Sequence, residues 1–336
     1  MEIFQEKRVE ISEENLKKAL IVFEVPAEFS AQARLMITNE ELVLLAAMGV
    51  ETHSLGELKD ISEKYDLADD AEAFIDNAWR RVIIDKVEDP RTGEIKYKAA
   101  NFYKRLPFFA QYEPDIYSTI PKYIMDAMCD WYYNIYFGKN HSRVLYRMKG
   151  LGPDIKMSQS DFLRLDEAQQ VIDGCENDIY VVPCYCKAMT YYHHKPVDVC
   201  LEMDNRQFEL NSQISRGYGR KLSKEEAKEL VSECSKAGLM HCGDTSGFCN
   251  CDSPSCFPIR MAMELGSRSI YPRAHYKIIF DRDKCENCGK CTTVCGFNAF
   301  SFTAYREVRF APDKCYGCTG CATNCPSGAI RLEPLV

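Results

Sequence analysis

The 336-residue chain contains no run of 18 apolar residues, which excludes an ordinary membrane-spanning helix. Residues 1–7 carry charges where a secretory leader needs an apolar stretch, so a cytoplasmic location and no membrane insertion are expected. Basic charge is not in excess: 42 Lys and Arg face 50 Asp and Glu, a net charge of −8. Phosphate binding needs a basic face, so nucleic acid is not expected as a main partner. No G-x-G-x-x-G follows a strand-like run, and the glycine pair at Gly217 and Gly219 is too short to count. No G-x-x-x-x-G-K-[ST] phosphate loop is present either, so neither nucleotide fingerprint is available.

Cysteine, by contrast, is abundant, with 18 residues. Nothing points to secretion, so clustered thiols imply metal rather than disulfides. Cys285, Cys288, Cys291 and Cys295 follow the C-x2-C-x2-C-x3-C spacing, and Cys315, Cys318, Cys321 and Cys325 repeat it, with Pro326 directly after. Thiolates so spaced wrap three corners of a cubane while the fourth reaches a neighbouring cluster. A zinc ribbon uses one C-x2-C pair and a distant second pair, which two identical four-cysteine runs do not fit. Between and around the runs, 277–280 reads as an opening strand, and 299–302 with 308–310 as a short hairpin.

Residues 276–336 resemble the bacterial-type dicluster ferredoxin. The resemblance implies two [4Fe–4S] clusters with crossed ligation. Cys285, Cys288, Cys291 and Cys325 would hold one, and Cys315, Cys318, Cys321 and Cys295 the other. Gly296 stands where the family has proline. Gly289, Gly317 and Gly320 offer small residues where backbone curls around a cluster. The segment holds eight Lys or Arg against six Asp or Glu, a net +2, leaving −10 for the rest. That local basic balance offsets anionic clusters and steers an acidic partner to this end.

More cysteines lie between residues 180 and 258. Cys184 and Cys186 follow a buried-strand pattern at 179–182, and Cys200 comes next. Ser223 opens a helix with Glu226 in a capping box, and Gly238 closes it. His241, Cys242, Cys249, Cys251 and Cys256 follow. The expected third metal site uses Cys186, Cys200, Cys251 and Cys256, with Cys184 and Cys249 as substitutes. Spacing alone leaves a third [4Fe–4S] cluster, a zinc site and buried unligated thiols open. Cys129, Cys175 and Cys234 read as core residues. His193–His194 reads as a surface pair, and His241 as structural despite its place beside the thiols.

The front reads as three helices, at 39–48, 54–65 and 69–81, followed by strands at 82–87 and 95–99 around a turn at 90–93. This order resembles a winged helix-turn-helix domain. Residues 38–105 hold fifteen Asp or Glu and ten Lys or Arg, the wrong sign for phosphate contacts. Protein docking is therefore expected over DNA binding. The aromatic run at 108–137 reads as helical core.

The expected architecture is a multidomain α+β chain: an N-terminal helical segment (1–37), a winged-helix-like domain (38–106), a mainly helical cysteine-rich domain (107–275) and a ferredoxin domain (276–336). The whole resembles multi-cluster iron–sulfur proteins of anaerobes, with Lys187 where arginine is expected. That implies an electron-transfer protein passing single electrons between a soluble carrier and a partner oxidoreductase. Two other classes stay open at this point: a redox-responsive winged-helix regulator, and a reductase whose middle cluster has an open iron site.

Overall fold

The structure is a computed structural model that describes residues 9–151, 160–191, 195–244 and 247–335. It mixes helices and strands as an α+β chain and divides into two compact units. Met1–Met128 and Phe208–Tyr218 form the first, and Cys129–Gln207 and Gly219–Val336 the second.

The first unit opens with α1 (Glu13–Val22) and α2 (Ser30–Met36). Next come α3 (Asn39–Met48), α4 (Leu55–Lys64) and α5 (Ala71–Arg80). Each of these three starts where a side chain satisfies a free backbone amide: Thr38 and Ser54 in capping boxes, Asp70 alone. Strands β1 (Ile84–Glu88) and β2 (Ile95–Ala99) pair antiparallel, with Ile84 opposite Ala99. Helices α6 (Phe102–Tyr112) and α7 (Pro114–Tyr117) follow. The expected aromatic core is present here in Phe108, Phe109 and Tyr117, all buried, whereas Tyr123 is exposed.

Segment 208–218 joins this unit through contacts that no sequence pattern announces. Asn211 brackets the backbone of Lys86, accepting from its amide at 2.9 Å and donating to its carbonyl at 2.7 Å. The Arg216 guanidinium, almost fully buried, meets Asp85 at 2.6 Å and donates to the Trp79 carbonyl. Tyr218 packs edge-on against Phe108.

Helix α8 (Lys122–Met148) carries the chain into the second unit. There β3 (Asp161–Leu163), α9 (Leu165–Asp173), β4 (Ile179–Pro183), α10 (Tyr185–Thr190) and β5 (Asp198–Glu202) precede β6 (Arg220–Leu222) and α11 (Lys224–Lys236). Then come β7 (Met240–Asp244), β8 (Gly247–Cys251) and α12 (Phe257–Leu265). The six strands form one antiparallel sheet in the order β3-β7-β8-β5-β4-β6. Helices still outweigh strands in the middle, as expected, but this sheet was not expected. β4 carries the expected apolar signature, but β7 and β8 are rich in Gly, Cys, His and Asn and lack it. The helix over 224–236 does form, with Ser223 and Glu226 in their capping box.

Alternation along the strands separates two faces. Ile179, Val181, Leu201 and Phe248 point into an apolar core closed by Ala168 and Ile172 of α9 and Ala227 and Val231 of α11. By the same alternation Cys200, Cys249 and Cys251 point the other way.

The last segment holds β9 (Tyr276–Phe280), α13 (Lys290–Val294), β10 (Phe300–Phe302), β11 (Val308–Phe310), α14 (Gly320–Thr323) and β12 (Ile330–Pro334). The expected opening strand and the β10–β11 hairpin are present. β12 closes the segment by pairing antiparallel with β9. Among the described residues, no helix is long and apolar enough to cross a membrane.

Candidate metal centres

The two cysteine runs build the same backbone twice. The second and fourth residues after the first cysteine adopt left-handed conformations: Asn287 and Gly289 in one run, Gly317 and Thr319 in the other. Each loop aims an amide back at its first sulfur. Asn287 N and Gly317 N lie 3.4 Å from Cys285 Sγ and Cys315 Sγ. Ala299 N approaches Cys295 Sγ at 3.3 Å. Such amides favour a charged thiolate over a thiol. Gly320 is not among the left-handed residues, so Thr319 supplies the turn expected of that glycine.

Two cavities of nearly equal size lie inside the segment. Cys285, Cys288, Cys291 and Cys325 line the first. Cys295, Cys315, Cys318 and Cys321 line the second. Each cavity therefore takes three thiols from one run and the fourth from the other. The apolar core of the segment includes Cys291 and Cys321 beside Ile278, Val294, Phe300, Val308 and Ile330, and Cys285, Cys295, Cys315 and Cys325 pack against it. Burial pushes the Cys291 thiol up to about 11 and raises Cys318 and Cys321 as well. Cys325 goes the other way: burial opposes its ionisation, but Ser327 and three backbone amides outweigh it. Four soft donors around a mostly apolar cavity, with amides aimed at sulfur, fit an iron–sulfur core.

The departure at Gly296 has a local cause. A Cβ there would sit 2.3 Å from Ser253 Oγ and 3.1 Å from Ser253 Cβ. Ser253 also donates its hydroxyl to the Gly296 carbonyl. A proline would need the space that Ser253 occupies.

The sheet face turned away from the apolar core carries the middle thiols. Cys184 hydrogen-bonds to Cys186 and Cys200, Cys186 to Cys256, and Cys200 to Cys249. Cys251 bonds to Cys249 and to Cys256, the latter at 3.5 Å. All four expected ligands and both substitutes thus close one ring of six neighbouring thiols, of which Cys249 alone is not fully buried. Four separate segments supply it: α10 and α12 from their N-termini, β5 and β8 from the sheet.

Cys184 and Cys256 are the N-cap residues of α10 and α12. Hydrogen bonds from Cys186 and Cys200, then the charge of Lys187 and its amide, hold Cys184 well below the usual thiol range. Burial opposes ionisation of Cys256, yet Cys186, Cys251 and the Ile259 amide bring it to about 6. Lys187 is itself buried and donates to the Asn250 carbonyl at 2.9 Å. It supplies the positive charge that a buried group of thiolates needs. Among the described residues, no three His, Cys, Asp or Glu side chains converge to hold a single metal ion.

Cys242 was missed as a site residue. It stands directly opposite Cys249 in the β7–β8 pair, is fully buried and bonds to Cys251. The antiparallel register of a hairpin, had it been recognised, would have exposed it. His241 lies one residue away on the opposite face, held at 2.6 Å to Asn250 Oδ1. Burial lowers its pKa, with Asn250 opposing. Cys129, Cys175 and Cys234 are buried apart from the ring, and His193–His194 lies outside the described residues.

No curated protein and no solved structure matches the chain. Residues 273–329 match the family model of the 4Fe-4S dicluster domain. The C-terminal segment is thus a ferredoxin-type, [4Fe–4S]-binding domain, and the role it gives the chain is iron–sulfur electron transfer.

Proposed function

We propose that the chain is a relay for single electrons with three iron–sulfur sites, all in the second unit, linking a soluble carrier to a partner oxidoreductase. One bound group takes Cys285, Cys288, Cys291 and Cys325, and a second takes Cys295, Cys315, Cys318 and Cys321. The third takes Cys186, Cys200, Cys251 and Cys256, with Cys184 and Cys249 as spare donors. When bound, such clusters accept and release one electron without making or breaking an organic bond. The residues present supply thiolate donors, amides directed at sulfur, and burial that keeps water away.

The observation that carries the third site is the closed ring of six thiols drawn from four segments. Thiols buried only as small hydrophobes have no reason to meet. The front unit serves as a docking scaffold of winged-helix type. Its three helices followed by a two-stranded hairpin support that reading, and its acidic balance favours a protein over DNA.

Iron, sulfide and zinc per chain, measured on anaerobically purified protein with EPR of the reduced sample, test the reading. About twelve iron and three reduced signals are expected, four iron for each site. About eight iron, with or without one zinc, would remove the third site.

A further inference from the structure

The two ligand sets of the tail are not equivalent with respect to the rest of the second unit. Four contacts from the preceding chain land beside the set of Cys295, Cys315, Cys318 and Cys321. Ser253 hydrogen-bonds to the carbonyl of Gly296, next to Cys295. Phe162 of β3 meets Phe297 edge-on at 6.4 Å, and Phe297 stacks on Tyr316 at 4.4 Å. Gly317 lies against Ala274, where a Cβ would come within 2.6 Å. Gly238 lies against Val294, next to Cys295, where a Cβ would come within 3.0 Å of its Cα, while Asn324, beside Cys325 of the other set, donates to the Ser235 carbonyl at 3.1 Å. The other set has the opposite character: Cys288 is the one exposed cysteine of the eighteen.

We infer that Cys285, Cys288, Cys291 and Cys325 form the outward set, where a soluble carrier meets the chain, and that Cys295, Cys315, Cys318 and Cys321 form the inward set, joined to the thiol ring through Ser253. This deepens the relay reading above and rests on it. Ser253 follows Cys251 of the ring by two residues, so its contact with Gly296 ties the strand of the ring to the inward set. Gly296 belongs to the inward joint, because only a residue without a Cβ lets Ser253 reach its carbonyl.

The test uses the full chain, reduced anaerobically, with the dysprosium–EDTA complex as a soluble paramagnet. Power saturation of each EPR signal reports how near that signal lies to solvent. One signal should relax several-fold more strongly than the others, and Cys288→Ser should alter that same signal. The tail signal that does not respond to dysprosium should be the one broadened when the ring site is reduced. Equal relaxation of both tail signals, or stronger relaxation of the signal altered by Cys315→Ser, would overturn the order. If a variant fails to fold, the unmodified protein still decides between one strongly relaxed signal and two. A sample with about eight iron and no third signal would overturn the joint to the ring together with the three-site reading, while leaving the outward and inward assignment measurable.

Discussion

The tail and the sheet both gather cysteines, but they do so by different means. In the tail, three of the four thiols around each cavity come from a seven-residue stretch, and the loop between them sets their positions. In the sheet, six thiols come from four segments spread over more than seventy residues, and strand register sets their positions. The difference extends to the packing. Site cysteines are part of the tail's own apolar core. The core beneath the sheet lies on the face away from the ring and includes none of the site thiols. Metal and fold are therefore coupled in the tail and nearly separable in the sheet.

Removing iron should show this most strongly. Ligand binding to a site absent from the unfolded chain is folding free energy. After anaerobic chelation, hydrogen exchange should find the amides of β9 and β12 unprotected, while Val181 and Leu201 keep their protection. Equal loss in both regions would mean that the sheet core also depends on metal.

The next effect is the loss of one whole site. Cys325→Ser should remove the group held with Cys285, Cys288 and Cys291 and cost about four iron. Cys295→Ser should cost the same number from the other set. EPR of each variant should lose a different signal. If Cys325→Ser instead removes the signal altered by Cys315→Ser, ligation is not crossed.

How much of this was legible follows from the same contrast. The two cysteine runs, the strand at 277–280 and the hairpin between the runs could be read because each is a local pattern. The helix start at Ser223 was legible for the same reason, since a capping box is a four-residue pattern. The six-stranded sheet was not: strands such as Met240–Asp244 carry Gly, His and Cys, and only their partners make them strands. Cys242 was lost with it, because its place depends on pairing with Cys249. The attachment of 208–218 to the first unit rests on Asn211 and Arg216 meeting residues more than a hundred positions away, which no spacing encodes. Gly296 sits between the cases. Its departure from the family pattern was visible, but its cause, Ser253, was not.

That position gives an intermediate effect. Gly296→Ala places a methyl against Ser253 and should cost about 1–3 kcal/mol by overpacking. Thermal or denaturant unfolding of the iron-loaded chain would report it. Ser253→Gly in the same chain should recover most of the loss, because the two residues are in direct contact and their effects are not additive. Failure of the second change to rescue the first would place the strain elsewhere.

The smallest effect should come from single losses in the ring. Each tail cavity has four thiols for four positions, so no donor is spare. The ring has six, and Cys184 touches both Cys186 and Cys200, while Cys249 touches Cys200 and Cys251. A neighbour already in hydrogen-bond contact can take a vacated position with little backbone movement. Cys186→Ser should therefore retain most of the third site's iron, with a shifted EPR signal as Cys184 replaces it. Cys184→Ser combined with Cys186→Ser should lose that iron, about four per chain, because no thiol then remains on α10. A single Cys186→Ser as damaging as Cys325→Ser would show that the extra thiols are not spare donors. The ring would then use a fixed ligand set, as the tail does.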